Sequence, residues 1–216
     1  MEISKLNFKS QISDYKNKID NQLLDIYKDG PTIIKEPINH ILSGGKRIRP
    51  ILCFLTAISL KGDENNAIIV STAIELLHNF TLIHDDIMDN DELRHGQATI
   101  HSKWDKSIAI LSGDAMLAIA LIKLNSLKDN KSKIIEKFNK ALIEVCEGQA
   151  LDLSYQNQHN ISVDDYINMI DKKTGYMLGL SSELGSIISN SSIKIQEKLK
   201  KYGMLLGRAF QIQDDL

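Results

Sequence analysis

Proline is scarce and confined to the start of the chain. Only Pro31, Pro37 and Pro50 occur, so nothing after residue 50 forbids long helices. Cysteine is nearly absent as well: Cys53 and Cys146 stand far apart inside apolar segments, with no Cys-x-x-Cys spacing. The pattern of a structural zinc site or a redox pair is therefore missing, and two reduced thiols are expected. No excess of positive charge is present. The 216 residues carry a formal net charge of −2, which argues against a nucleic-acid partner. The N-terminus, Met1 to Leu6, lacks the apolar run of a secretory signal. No charge-free apolar stretch reaches the ~20 residues that cross a bilayer; the segment from Ile108 to Ile122 is broken by Asp114. With 43% apolar and 25% charged residues, the expectation is a soluble, cytoplasmic globular protein without a membrane span.

What the sequence does have is helical periodicity. Ile68, Val70, Ile74, Leu77 and Thr81 recur at three- and four-residue steps, as do Ile110, Leu111, Ala115, Ala118, Leu121 and Ile122. Ile134, Phe138, Leu142, Val145 and Gln149 mark a third stripe. Period-two alternation and Asn-Gly or Asp-Gly hairpin turns are lacking. Breaks carrying Gly, Pro, Asn, Asp or Ser fall near residues 30, 44, 63, 94, 130, 159 and 190. They divide the chain into about eight helices, and none is long enough for an interdomain linker. The spacing predicts an all-α protein with one helical domain over residues 1–216.

The sharpest local feature is Asp85-Asp86-Ile87-Met88-Asp89, which ends an apolar helical run. At 100° per residue, Asp85 and Asp89 lie about 40° apart on one face, one turn from each other. Two carboxylates so placed repel, and a hard divalent cation removes the repulsion. Magnesium prefers oxygen ligands and is completed by water and substrate phosphates. Asp86 lies off that line, suited to a supporting role. His78, seven residues earlier, is about 20° off the same line and about 10.5 Å down the axis, suited to a second anionic group. The plainer alternatives are a solvated acidic helix end and a hydrogen-bonded core histidine. A second acidic pair, Asp214-Asp215, follows the apolar stretch around Phe210 and Ile212; a helix ending there could hold metals opposite the first cluster.

Cations flank these carboxylates. In Ser43-Gly44-Gly45-Lys46-Arg47-Ile48-Arg49-Pro50, the glycines permit close approach to an anion and the cations neutralise it. The spacing is not that of a P-loop. A helix C-cap followed by solvated charge is the alternative. Arg94-His95-Gly96 places further basic groups just past the aspartates, and Lys173-Thr174 lies in a later helix.

Taken in order, Gly-Gly-Lys-x-x-Arg-Pro, His78 seven residues before Asp-Asp-x-x-Asp, Arg94-His95-Gly96, Lys173-Thr174 and Phe210-Gln211-x-x-Asp-Asp resemble the polyprenyl synthetase family of trans-isoprenyl diphosphate synthases. The resemblance spans about residue 28 to residue 216. It implies an isoprenoid synthase-type bundle of long helices around a central cavity. It also implies condensation of isopentenyl diphosphate with an allylic diphosphate, to a C15–C20 trans-prenyl diphosphate. The implied cofactor is Mg2+, with Mn2+ as a substitute, and the implied assembly is a homodimer.

By matching position, Asp85, Asp86, Asp89, Asp214 and Asp215 would form the metal set. Lys46, Arg49, His78 and His95 would bind isopentenyl diphosphate. Arg94, Lys173 and Gln211 would bind the allylic diphosphate, and Lys173, Thr174 and Gln211 would act on the reacting carbon. Phe80 and Thr81, five and four residues before Asp85, would set product length. Family members usually carry arginine where His95 stands, and a neutral imidazole cannot form a bidentate fork. The family's second motif continues past Asp215, so a fragment of a longer protein is expected. Two other readings share some of these motifs: a non-catalytic partner subunit that binds isoprenoid diphosphates, and a terpene cyclase-type lyase, which needs no second diphosphate pocket. A di-iron helical bundle lacks its Glu-x-x-His pairs.

Overall fold

Pro31 is the extended residue directly before α2 (Thr32–Leu42). Pro50 falls in the first turn of α3 (Ile48–Ser59), where a backbone N–H has no intrahelical partner in any case. Pro37 alone sits inside a helix, in α2. The computed structural model describes residues 2–216 apart from Asp25, His95, Asn157 and His159, and of residues 2–8 only the backbone. The remaining elements are α1 (Glu2–Leu23), α4 (Glu64–Asp89), β1 (Leu93–Arg94), β2 (Gln97–Ala98), α5 (Ile100–Lys103) and α6 (Lys106–Asn125). They continue with α7 (Lys131–Tyr155), α8 (Val163–Ile170), a π-helical turn (Asp171–Gly175), α9 (Tyr176–Ile188) and α10 (Ile193–Asp214).

The fold is all-α, as the periodicity predicts. Ten α-helical segments appear among the described residues rather than about eight. The additions are the one-turn α5 and the division of one long run into α8 and α9 by the π-helical turn. A small hairpin was not expected. β1 and β2 pair antiparallel, Leu93 with Ala98 and Arg94 with Gln97. Strands of two residues are too short to show alternation, and their turn uses Gly96 at φ +79° instead of an Asn-Gly pair.

The described chain forms two compact units, one from Met1–Ile51 and Ile68–Ser126, the other from Leu52–Ala67 and Leu127–Leu216. In the first, Ile19, Ile38, Ile74, Leu77, Met116 and Leu124 are fully buried. The Asp105 side chain caps α6 by accepting from the Ile108 N–H at 2.8 Å. In the second, α9 is buried from Met177 through Ile188. A helix buried all round needs close neighbours, and glycines supply them. A Cβ on Gly203 of α10 would collide with the Leu178 carbonyl of α9, and one on Gly179 of α9 would meet the Met204 side chain of α10 at 2.6 Å. Glu183, buried in α9, is neutralised by Lys137 at 2.9 Å and Lys200 at 3.7 Å.

Two helices are longer and more apolar than their charge-free runs alone imply. An 18-residue window in each of α4 and α6 reaches the length and hydropathy of a membrane span. Such windows tolerate a charge or two, which interrupts a run without abolishing its hydropathy. In α4 the window is 67% buried, so its apolar side chains are core; in α6 it is 33% buried.

Candidate active site

The basic loop leaves α2 and enters α3 through two left-handed glycines, Gly44 at φ +101° and Gly45 at φ +95°, followed by Arg47 at φ +54°. This path turns Arg47 inward, where it is 5% exposed. Its Nε donates to Asp20 Oδ1 at 2.8 Å, Nη1 to Glu75 Oε1 at 2.6 Å, and Nη2 to the Leu42 carbonyl at 2.5 Å. Burial pulls the Arg47 pKa down, but the charges of Glu75 and Asp20 outweigh it and hold the guanidinium above its ordinary value. Arg47 thus ties α1, α2 and α4 to the loop. Sequence reasoning missed this role. The available signal was Glu75, a carboxylate inside an apolar helix that has to find a cation.

Arg49, two residues on, is the opposite case. No carboxylate pairs with it among the described residues, and its Nε is buried without a hydrogen-bond partner there. Its Nη1 lies 3.2 Å from His78 Nε2. Burial pushes its pKa down, and the Glu75 charge offsets this only in part. Arg49 as a whole is half-buried, and a partly desolvated cation without a paired carboxylate carries a cost that an incoming anion relieves. Lys46 is exposed beside it. The structure therefore brings Arg49 and His78 together.

At the end of α4, Asp85 is half-buried and Asp89 is exposed one turn later. Asp86 is 2% exposed, and Arg94 of β1 reaches its Oδ1 through Nε and Nη2, both at 2.5 Å. Burial raises the Asp86 pKa, and the Arg94 hydrogen bond and charge oppose the rise. Asp86 and Arg94 are expected to face a metal and a diphosphate; here they hold each other and anchor the hairpin to α4. Arg94 also approaches Asp91 at 3.6 Å. Phe80 is 8% exposed, its ring centroid 4.4 Å from that of His84. His84 Nε2 lies 3.9 Å from Asp114 Oδ1, beyond hydrogen-bond distance, and a Cβ on Gly113 would come within 2.7 Å of it. Thr81 donates its hydroxyl to the His78 carbonyl at 2.8 Å. His95 lies outside the described residues.

In the second unit the expected residues cluster on the π-helical turn and α10. Lys173 Nζ lies 2.5 Å from Asp152 Oδ2 of α7. Thr174 Oγ1 donates to Gln211 Oε1 at 2.9 Å. Gln211 Nε2 donates to Asp215 Oδ1 at 2.9 Å, and the Tyr166 hydroxyl donates to Asp215 Oδ2 at 2.5 Å. That last bond pushes the Tyr166 phenol up to about 12. Asp214 is exposed. Arg208 grips Asp171 with Nε at 2.9 Å and Nη2 at 2.5 Å. Lys172 pairs with Glu144 at 2.5 Å and Glu147 at 2.6 Å. Tyr166, Asp171 and Arg208 were not singled out from the sequence, because their partners lie tens of residues away.

Among the described residues no three His, Cys, Asp or Glu side chains converge on one point. Asp85 and Asp89 are nevertheless a donor set that fits magnesium, which takes one or two carboxylates and fills its octahedron with water and phosphate oxygens.

The family model of polyprenyl synthetases matches residues 31–216. The chain belongs to the polyprenyl synthetase family. The short chain isoprenyl diphosphate synthase of Methanocaldococcus jannaschii is 41% identical over 202 residues, covering 92% of this chain and 61% of that one. The geranylgeranyl diphosphate synthase of Saccharolobus solfataricus is 38% identical, covering 93% and 62%. Among solved structures, geranylgeranyl pyrophosphate synthetase from Pyrococcus horikoshii matches with a TM-score of 0.91 at 35% identity, covering 98% of this chain and 66% of that one. An FPP/GFPP synthase from Zymomonas mobilis matches with a TM-score of 0.92 at 32% identity, covering 97% and 81%. The chain spans about three-fifths of the length of the two curated relatives.

Proposed function

We propose that this polyprenyl synthetase is a magnesium-dependent trans-prenyltransferase. It condenses isopentenyl diphosphate with an allylic diphosphate, giving a C15–C20 prenyl diphosphate and free diphosphate. The observation that carries the reading is Arg49: a guanidinium whose buried Nε has no hydrogen-bond partner among the described residues and whose Nη1 lies 3.2 Å from His78 Nε2. That arrangement calls for an anion, and the family supplies isopentenyl diphosphate as its chemistry.

In this reading Arg49, His78 and Lys46 bind the diphosphate of isopentenyl diphosphate, with His95 where relatives use arginine. Asp85 and Asp89 hold magnesium, assisted by Asp214, and Mn2+ can substitute. When bound, the metal supplies neutralisation of diphosphate charge. Arg94 and Lys173 bind the allylic diphosphate, exchanging their present partners Asp86 and Asp152 for phosphate oxygens. As the carbon–oxygen bond breaks, the oxygens of Thr174 and Gln211 face the allylic cation with their negative ends. The double bond of isopentenyl diphosphate attacks that cation, and a proton leaves to the released diphosphate. Phe80 and Thr81 limit chain growth.

Incubation with labelled isopentenyl diphosphate and each allylic diphosphate, with and without Mg2+, tests the reading. The expected result is metal-dependent formation of C15–C20 product. Absence of product with every allylic substrate would contradict it. A cytoplasmic homodimer completes the proposal, supported by the exposed Ile110, Leu111 and Ile122 of α6. Sedimentation at twice the monomer mass is the expected result.

A further inference from the structure

We infer that Tyr166 is a positioning residue, which works through Asp215 to fix the orientation of the Gln211 amide and, through it, the Thr174 hydroxyl. The inference rests on the proposed roles of Thr174 and Gln211. Three rungs join α10 to the segment formed by α8 and the π-helical turn: Arg208 to Asp171, Gln211 to Thr174, and Asp215 to Tyr166. Arg208, Gln211 and Asp215 are three and four residues apart, so the rungs stand on one face of α10.

The direction of each hydrogen bond in this chain follows from chemistry. An ionised carboxylate only accepts, so Asp215 must receive the Tyr166 hydroxyl on one oxygen and an N–H of Gln211 on the other. With its NH2 on Asp215, Gln211 presents Oε1 to Thr174, and the Thr174 hydroxyl must donate to it. The lone pairs of the Thr174 oxygen then remain for an electron-poor carbon. The Tyr166 hydroxyl holds Asp215 in place; without it the exposed Asp215 side chain is free to swing away from Gln211, whose amide can then turn its NH2 toward Thr174, placing a partial positive charge where a cation has to form. The bidentate Arg208–Asp171 pair keeps the turn and α10 in register one turn earlier.

The test compares the wild type with Tyr166→Phe, which keeps the ring and removes only the hydroxyl. The side-chain amide signals of Gln211, assigned by their loss in Gln211→Glu, are followed by 15N NMR, and steady-state kinetics are measured in parallel. The expected result is a shifted, faster-exchanging Gln211 amide. It is accompanied by a fall of about tenfold in kcat, of the order given by losing one hydrogen bond to a charged group, with KM for the allylic diphosphate unchanged. The drop should not add to that of Asp215→Asn, since both break the same link. An unmoved amide signal overturns the inference, and so does a moved signal with unchanged kcat. If the wild type shows no turnover, the functional reading fails on its own, and the amide signal still decides whether Tyr166 orients Gln211.

Discussion

Two expected cations, Arg49 in the first unit and Lys173 in the second, stand in opposite surroundings. In the first, Arg49 has a buried Nε without a hydrogen-bond partner among the described residues, and its Nη1 lies 3.2 Å from His78 Nε2. In the second, the expected residues Lys173, Thr174, Gln211 and Asp215 each have a protein partner: Lys173 on Asp152, Thr174 on Gln211, and Asp215 on Tyr166. In the proposed function Arg49 meets its counter-charge on the substrate, whereas Lys173 would exchange Asp152 for phosphate oxygens. The same contrast recurs at closer range within one loop, where Arg47 is a strut bound to Asp20, Glu75 and a carbonyl while Arg49 pairs with no carboxylate among the described residues. Burial of a cation therefore says little about its role; what decides is whether the protein supplies the counter-charge.

The loop provides the strongest test of this contrast. Arg47→Met leaves Glu75 buried without its cation and should cost about 3–5 kcal/mol of stability, measured by urea denaturation; a loss below about 1 kcal/mol would erase the distinction. Arg49→Gln should leave the denaturation midpoint unchanged or higher, because it relieves an unpaired charge. It should raise KM for isopentenyl diphosphate by about 10- to 100-fold, the worth of a charge-assisted hydrogen bond. A drop in stability matching that of Arg47→Met would make both residues structural. Asp152→Asn, in the second unit, releases Lys173 from a half-exposed pair and should change stability by less than about 1 kcal/mol. Phe80→Ala should lengthen the product, read by chromatography, and an unaltered profile would remove Phe80 from that role. The smallest effect is expected from His95→Arg, a severalfold decrease in KM for isopentenyl diphosphate.

Much of this was legible in the sequence because it is local. Helical stripes, the early prolines and the glycine-bearing breaks mark most helix boundaries, and the order of the acidic and basic motifs points to the family. The distinction between Arg47 and Arg49 was not legible. It depends on Asp20 and Glu75, 27 and 28 positions from Arg47, and on two left-handed glycines that turn one side chain inward. The Asp86–Arg94 pair was hidden for a related reason: period counting places Asp86 off the line of Asp85 and Asp89, but not against a hairpin too short to foresee. The π-helical turn has no composition signal. Its register is set by Asp171–Arg208 and Thr174–Gln211, pairs that each span 37 positions.

The central proposal is that Arg49 and His78 bind the diphosphate of isopentenyl diphosphate. Calorimetric titration with isopentenyl diphosphate alone tests it most directly, on the wild type and on Arg49→Gln. The account predicts saturable binding by the wild type and at least about tenfold weaker binding by the variant. Equal binding by both, with the variant as stable as the wild type, would contradict it.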